Sequence, residues 1–550
     1  MAAKRKQKRT RTKFVIPENL FGTLAAWAAF LACFRRIGLT NRFGDYGNAY
    51  YSAALGLFFL LFVFTGLGMG HAVCAMVQAR IERGNVKDAR RVVTKAAVYG
   101  AFISLIFIFA GYVFLKFFTG TLLNIPLTAL VLKAFLPALL PLTVFWTLVG
   151  GMDGFGGQAP DFIRFLFYIL LFATGPMLTA PFTEYGEKVG ALLQNGQYGP
   201  AYGAMGGAVS FTVTSLIVMA AALIGWWMTQ PAIRDMERMD SENTRSPEKK
   251  VYVGIFQNSL SCMLPCGLFM LALIAQTAFF FHTKDAEAFA GRLQAWGIFT
   301  GKSGVLLGIP IFGAVAFGLR MMPEFQISFF NRNLKKSKEK CMVALRCCAL
   351  FTVPGAVLAL VLPGPLINLF FREGDLTQAV GFLRIGSICM IFGALAVVLA
   401  VILISMDLLT GLSVDIVIAA VLHLAALYGM LRFLELGIFA VLYADIIFFF
   451  LLCMFFLVSI KRHLKISFSW IRIFLAPVIG GAVMAAVCAF FAYVLFKTTP
   501  MAVTAPVSAL AGFAFYVVTV LVLKGAAPRE LRAFPCGEKI LAFARLIRLM

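Results

Sequence analysis

Long apolar runs, about fourteen of them, leave few folds open to this 550-residue chain. A helix crosses the roughly 30 Å hydrocarbon layer of a bilayer with about 20 apolar residues, since each residue advances it 1.5 Å. Every run reaches that length. Several exceed 25 residues, which predicts tilted helices or helices that project beyond the lipid. Composition removes the soluble alternative: 61% of residues are apolar and 13% charged, with 57 Phe against 25 acidic residues. A soluble domain averages about 45–50% apolar and about 25% charged. An all-α polytopic membrane protein of about fourteen transmembrane helices is therefore expected.

The net charge of +24 is read within that frame. The basic residues sit in short segments between apolar runs, as in cytoplasmic loops, so nucleic acid is not an expected partner. With the N-terminus inside, the segments on the cytoplasmic side hold 35 Lys and Arg, against about 12 on the other side. This bias predicts both termini in the cytoplasm. The arm over residues 1–17 carries seven Lys or Arg within Met1–Lys13 and suits anionic lipid headgroups. The apolar run Leu20–Cys33 leads into Arg35-Arg36 and not into a small-residue site, so no cleavable signal peptide is expected.

Two stretches recur at an offset near 250 residues. Tyr46-Gly47-Asn48 enters span 2 as Trp296-Gly297 enters span 8. The basic loop Arg80–Lys87 follows span 2 as Asn331–Lys336 follows span 8. Two related lobes follow from this: 18–228 with spans 1–6, and 251–465 with spans 7–12, joined by a charged linker over 229–250. An even number of spans per lobe makes the repeat parallel, a pseudo-two-fold about the membrane normal. Spans 13 and 14 over 466–524 are an addition, and 525–550 reads as a basic amphipathic tail at the interface.

No catalytic constellation is present. The four histidines lack metal-ligand spacing, and the 11 cysteines lie mostly inside apolar runs, where they read as small core residues. Gly301-Lys302-Ser303 has no glycine five residues upstream, so it is not a phosphate-binding loop. What remains is ionisable residues at membrane depth, which are costly and point to a pathway. Arg35, Arg36, Lys302 and Arg384 form one set, which would suit an anionic headgroup such as a pyrophosphate if they converge. Snorkelling to the interface is the alternative for the arginines. Lys133 is a further, ambiguous cation. Asp415 and Asp445 form a second set, with Asn258 or Gln257 as neutral ligands, that could hold Na⁺ or a proton, or could be structural. Asp153, Asp161 and Arg164 flank the Gly154–Gly157 turn and could lock a gate.

Three stretches then resemble a known family. They are Gly66–Val73 with Met76–Asn85, Pro323–Ser328 with the basic run behind it, and Phe382–Ser387. In order and spacing the chain resembles the multidrug/oligosaccharidyl-lipid/polysaccharide (MOP) exporter superfamily, and within it the stage V sporulation protein B and MurJ-type lipid II flippases. The resemblance implies a MATE-like fold, with Arg35, Arg36 and Lys302 in the substrate cavity. It implies alternating-access transport of a polyprenyl-pyrophosphate-linked sugar across a bacterial plasma membrane, for cell-wall or polysaccharide synthesis. Envelope-synthesis enzymes would be partners, and no cofactor is expected beyond Na⁺ or H⁺ as coupling ion. A cation-coupled multidrug exporter and a non-transporting scaffold remain the other readings.

Overall fold

The computed structural model describes residues 20–240, 246–282, 286–371, 376–465, 470–495 and 501–525. The expected basic arm lies outside them, as does the expected tail beyond Gly525. Among the described residues every regular element is helical. That is the outcome lipid demands, because a helix satisfies its own backbone hydrogen bonds.

In chain order the α-helices are α1 (Leu20–Cys33), α2 (Arg35–Phe62), α3 (Gly68–Ile81), α4 (Val86–Val113), α5 (Thr128–Phe135) and α6 (Leu139–Phe155). They continue with α7 (Ala159–Leu192), α8 (Tyr198–Glu237), α9 (Glu248–Phe281), α10 (Ala286–Ile298), α11 (Gly304–Phe330) and α12 (Leu334–Val361). The last six are α13 (Pro363–Phe370), α14 (Leu376–Ser405), α15 (Leu409–Arg432), α16 (Ile438–Leu464), α17 (Trp470–Leu495) and α18 (Met501–Val522).

Among the described residues thirteen stretches are long and apolar enough to cross a membrane, and the first, Phe21–Ile81, has 61 residues. Straight, it would measure on the order of 90 Å, three times the hydrocarbon thickness. It folds back instead at Gly44, whose φ of 67° and ψ of −167° only glycine adopts readily. Arg35 and Tyr51, sixteen residues apart, touch at 2.8 Å across the hairpin. The stretch thus makes two crossings, which brings the total among the described residues to fourteen.

The two basic loops share a local feature. The loops after spans 2 and 8 both end in an asparagine N-cap: Asn85 accepts from the Asp88 amide and Asn333 from the Lys336 amide. Both spans also carry a π-turn, at Val63–Leu67 and at Phe299–Ser303. Helices α1–α8 pack mainly on one another, around an aromatic core of Phe58, Phe135 and Phe211. Helices α11–α16 form a second body, and the α17–α18 pair leans on α12. Helix α9 belongs to neither alone. It packs on α3 and α4 near its start and on α15 further along.

The charged linker is shorter than the expected 229–250, because α8 continues through Pro231 to Glu237 and α9 opens at Glu248. Its ends are pinned to the start of α4. Asp240 accepts from the Val86 and Lys87 amides at 2.9 and 3.2 Å, and the Ser246 hydroxyl donates to Asp88 at 2.7 Å. Arg90 pairs with Glu237, while Arg91 and Lys95 share Glu248.

Candidate functional site

The two bodies meet most tightly at the end away from the basic loops, where the Gly44 hairpin faces α10 and the π-turn of span 8. Close approach needs small residues there. A Cβ on Gly297 would lie 1.8 Å from the Asp45 carbonyl oxygen, and one on Gly301 would lie 2.2 Å from the Asn48 side chain. Both glycines let one helix touch the main chain or inner side chains of another. Polar groups line the same seam. The Thr40 hydroxyl lies 3.0 Å from the Gly301 carbonyl and 3.1 Å from Asn48 Oδ1, and Thr300 donates to Ser52 at 3.1 Å.

Lys302 is buried in this seam and joins Asp45 at 2.8 Å, their side chains 3% and 8% exposed. The lysine is thus spent on a carboxylate from the other body, a partner that sequence reading did not give it. Arg36 lies beside this pair, its guanidinium 4.2 Å from the centre of the Tyr51 ring. Its Nη2 reaches the Asn48 carbonyl at 3.4 Å, and its Nη1 is buried with no hydrogen-bond partner. Asn48 Nδ2 and Trp296 Nε1 are buried without a partner as well. Three N–H donors with no acceptor therefore lie along one seam. Buried donors are normally satisfied, so such a group points to an acceptor supplied from outside.

Arg35 reaches the same Tyr51, at its hydroxyl and not over its ring. Its guanidinium donates to Tyr51 at 2.8 Å and to the Gly207 carbonyl and Ser210 hydroxyl, both at 2.9 Å. Arg35 thereby ties α2 to α8 inside the first body. Arg384 is exposed on α14 and joins no ion pair among the described residues. The four cations therefore do not converge. Arg36 and Lys302 share a seam, and the other two lie off it. Lys133 is exposed at the end of α5, its carbonyl bonded by the Tyr112 hydroxyl.

The structure does not bring Asp415 and Asp445 together. Asp415 accepts from Ser459 of α16 at 2.8 Å. Ser459 lies fourteen residues beyond Asp445 on that helix, roughly 21 Å by the helical rise. Asn258 is exposed and bonds back to Gly254, and Gln257 is exposed too. Asp445 instead takes the amide of Gln276, eighteen residues along α9 from Asn258, or roughly 27 Å. Gln276 Oε1 faces His423 Nε2 at 3.1 Å, and His423 Nδ1 faces the Ala444 carbonyl at 3.0 Å. A polar chain His423–Gln276–Asp445 thus links α15, α9 and α16. Asp445 Oδ1 is buried with no partner and lines a cavity of about 230 Å³ with Ser52, Thr277, Trp296, Phe299 and Thr300. The sequence signal for this chain was present, a histidine and a glutamine inside apolar runs, but residues on three helices cannot be joined by spacing.

Asp153 and Arg164 pair directly, with Arg164 also 3.1 Å from Asp161. Both partners sit on consecutive helices of one body, α6 and α7. The pair ties the turn at Gly156–Gly157 and does not bridge the two bodies. No cluster of three or more metal-ligating side chains occurs among the described residues.

No protein-family model and no curated protein sequence matches the chain. Solved structures do. The chain is similar to a lipid II flippase, MurJ, in an inward closed conformation, with TM-score 0.61 and 15% identity over 92% of this chain and 98% of that one. An inward-facing multidrug resistance MATE transporter of the MOP superfamily matches with TM-score 0.54 and 13% identity, over 80% of this chain and 94% of that one. A MOP superfamily transporter from Pyrococcus furiosus matches with TM-score 0.54 and 14% identity, over 80% and 96%. The chain has the all-α, multi-pass fold that these transporters share.

Proposed function

We propose that this chain is an alternating-access transporter whose cargo presents an anionic headgroup, of the polyprenyl-pyrophosphate-linked sugar class. The observation that carries the reading is the group of unspent donors on Arg36, Asn48 and Trp296, held with Lys302 where the two bodies meet. Guanidinium and amide N–H groups suit phosphate oxygens. Lys302 joins them when the seam parts and Asp45 is withdrawn. The long MurJ match supports a lipid cargo, since its coverage exceeds that of the multidrug transporter by the size of a helical hairpin such as α17–α18.

The membrane is a bacterial plasma membrane, with the basic loops and both termini cytoplasmic. The inside-negative potential then favours outward movement of an anion by about 2.3 kcal/mol per charge per 100 mV. Asp445, with Gln276 and His423, is the place where Na⁺ or a proton would bind to reset the carrier. Asp415 and Asn258 lie too far away to share it.

Translocation of fluorescent lipid II in proteoliposomes, scored with a membrane-impermeant quencher, tests the reading. Protein-dependent loss of protected signal, abolished by Arg36→Gln, is expected. A folded protein that moves no lipid-linked pyrophosphate under an imposed potential and Na⁺ gradient overturns it. One observation favours a second reading, a multidrug exporter: the cavity at Asp445 is walled by Trp296 and Phe299, a setting for an organic cation. Uptake of a fluorescent quaternary ammonium, lost in Asp445→Asn, would select it.

A further inference from the structure

The two repeat-related basic loops differ in what neutralises them. Around the first, Arg80, Arg90, Arg91 and Lys95 are all in ion pairs, with Asp88, Glu237 and Glu248, and Asp240 caps the start of α4. Among the described residues the second loop shows no such strap. Arg332, Lys335, Lys336 and Lys338 lead into α12, and Lys461 and Arg462 close α16. None of these six joins an ion pair among the described residues. Lys338 Nζ bonds the Lys465 carbonyl at 3.2 Å, so the two segments lie at one level and form one surface. Its acidic neighbours are few: Glu339 on the same helix, and Asp415, which is engaged by Ser459.

We propose that this surface on the second body binds the phosphate headgroups of anionic phospholipids, whereas the ion-paired cations of the first body do not. Its position argues for a lipid over a soluble partner. The cations sit where α11, α12 and α16 leave the apolar layer, and Phe330 and Leu334 beside them are 59% and 43% exposed. Cations flanking exposed apolar side chains at a helix end suit the headgroup boundary. Helix α12 also begins with Lys335 and Lys336 in its first turn, with no acid there, where the helix dipole favours negative charge. Helix α4 meets the same need internally, through Asp88 and Asp240. The second body is thereby tied to lipid charge, whereas on the first Arg80, Arg90, Arg91 and Lys95 are spent on Asp88, Glu237 and Glu248, which leaves Arg83 and Lys87 of that loop outside an ion pair among the described residues.

Native mass spectrometry of the full chain, released from mixed phosphatidylglycerol and phosphatidylcholine, tests this independently of any transport. Retained phosphatidylglycerol is expected to exceed phosphatidylcholine and to fall as salt is raised. K335Q/K336Q/K338Q should lower the retained phosphatidylglycerol on the order of tenfold. R90Q/R91Q/K95Q, an equal loss of charge on the first body, should change it by less than about twofold. K335R/K336R/K338R should retain it, which separates lost charge from lost folding. Equal loss in the two glutamine variants would reduce the effect to net charge and overturn the proposal. So would equal retention of both lipids, or a surface that takes polyglutamate while ignoring phosphatidylglycerol.

Discussion

Lys302→Met removes one side of the buried pair that crosses the seam and leaves Asp45 facing a dry interface. With side chains 3% and 8% exposed, solvent screening does little for the stranded carboxylate. Breaking a buried pair in this way costs about 3–5 kcal/mol. Replacing both partners by neutral groups is often close to free. The cost falls on the closed arrangement only, since a parted seam lets water reach Asp45. Each 1.4 kcal/mol is tenfold, so the closed arrangement should lose a factor of about 10²–10³ in favour of the open one. Amide hydrogen exchange in peptides covering 45–54 and 297–303 reads this directly, because exchange in a local opening tracks its free energy. We expect faster exchange in both segments, with peptides from α15 unchanged. Asp45→Asn in the same chain should restore most of the protection. Unchanged exchange in K302M, or a double variant no slower than the single, would refute the argument that this pair holds the seam.

Gly297→Ala should prevent normal closure, because its Cβ meets the Asp45 carbonyl, a main-chain atom that cannot swing aside. Exchange at 45–54 should rise and the melting temperature in detergent should fall, at an overpacking cost of about 1–3 kcal/mol. Arg35→Gln should lower the melting temperature by several degrees, since three buried hydrogen bonds in the first body are lost. Arg36→Gln should leave it nearly unchanged and abolish stabilisation by a polyprenyl pyrophosphate, so a thermal-shift series separates the two neighbours. Asp240→Ala should expose the α4 amides it accepts from and cost about 0.5–2 kcal/mol, seen as faster exchange over 86–95.

Sequence made the crossings legible because lipid allows one solution to a long apolar run. The offset near 250 was legible for the same kind of reason: Asn85 and Asn333 do the same capping work in each half. The site was less legible. Asp415 and Asp445 lie on adjacent spans, but those spans are antiparallel. Asp415 comes six residues after the start of α15 and Asp445 seven after the start of α16, so they lie toward opposite ends of the bundle. Arg35 and Arg36 are neighbours in the chain and both meet Tyr51, but Arg35 goes on to Gly207 and Ser210 of α8, partners that no spacing shows. Asp45 was hidden because a turn residue between two apolar runs reads as solvated until the other body is brought against it. The glycines beside it, Gly297 and Gly301, were the available signal, since they mark where two helices come closest.

The glycine contacts also bear on permeability. At Gly297 the barrier is one helix against the main chain of another, with no side-chain flap between them. Side-chain flips take picoseconds to nanoseconds, whereas collective displacement of packed helices takes microseconds to milliseconds. Water and small ions can therefore pass this point only when whole helices separate. A chain spanning a membrane in this way would not drain the voltage and ion gradients across that membrane by its resting fluctuations.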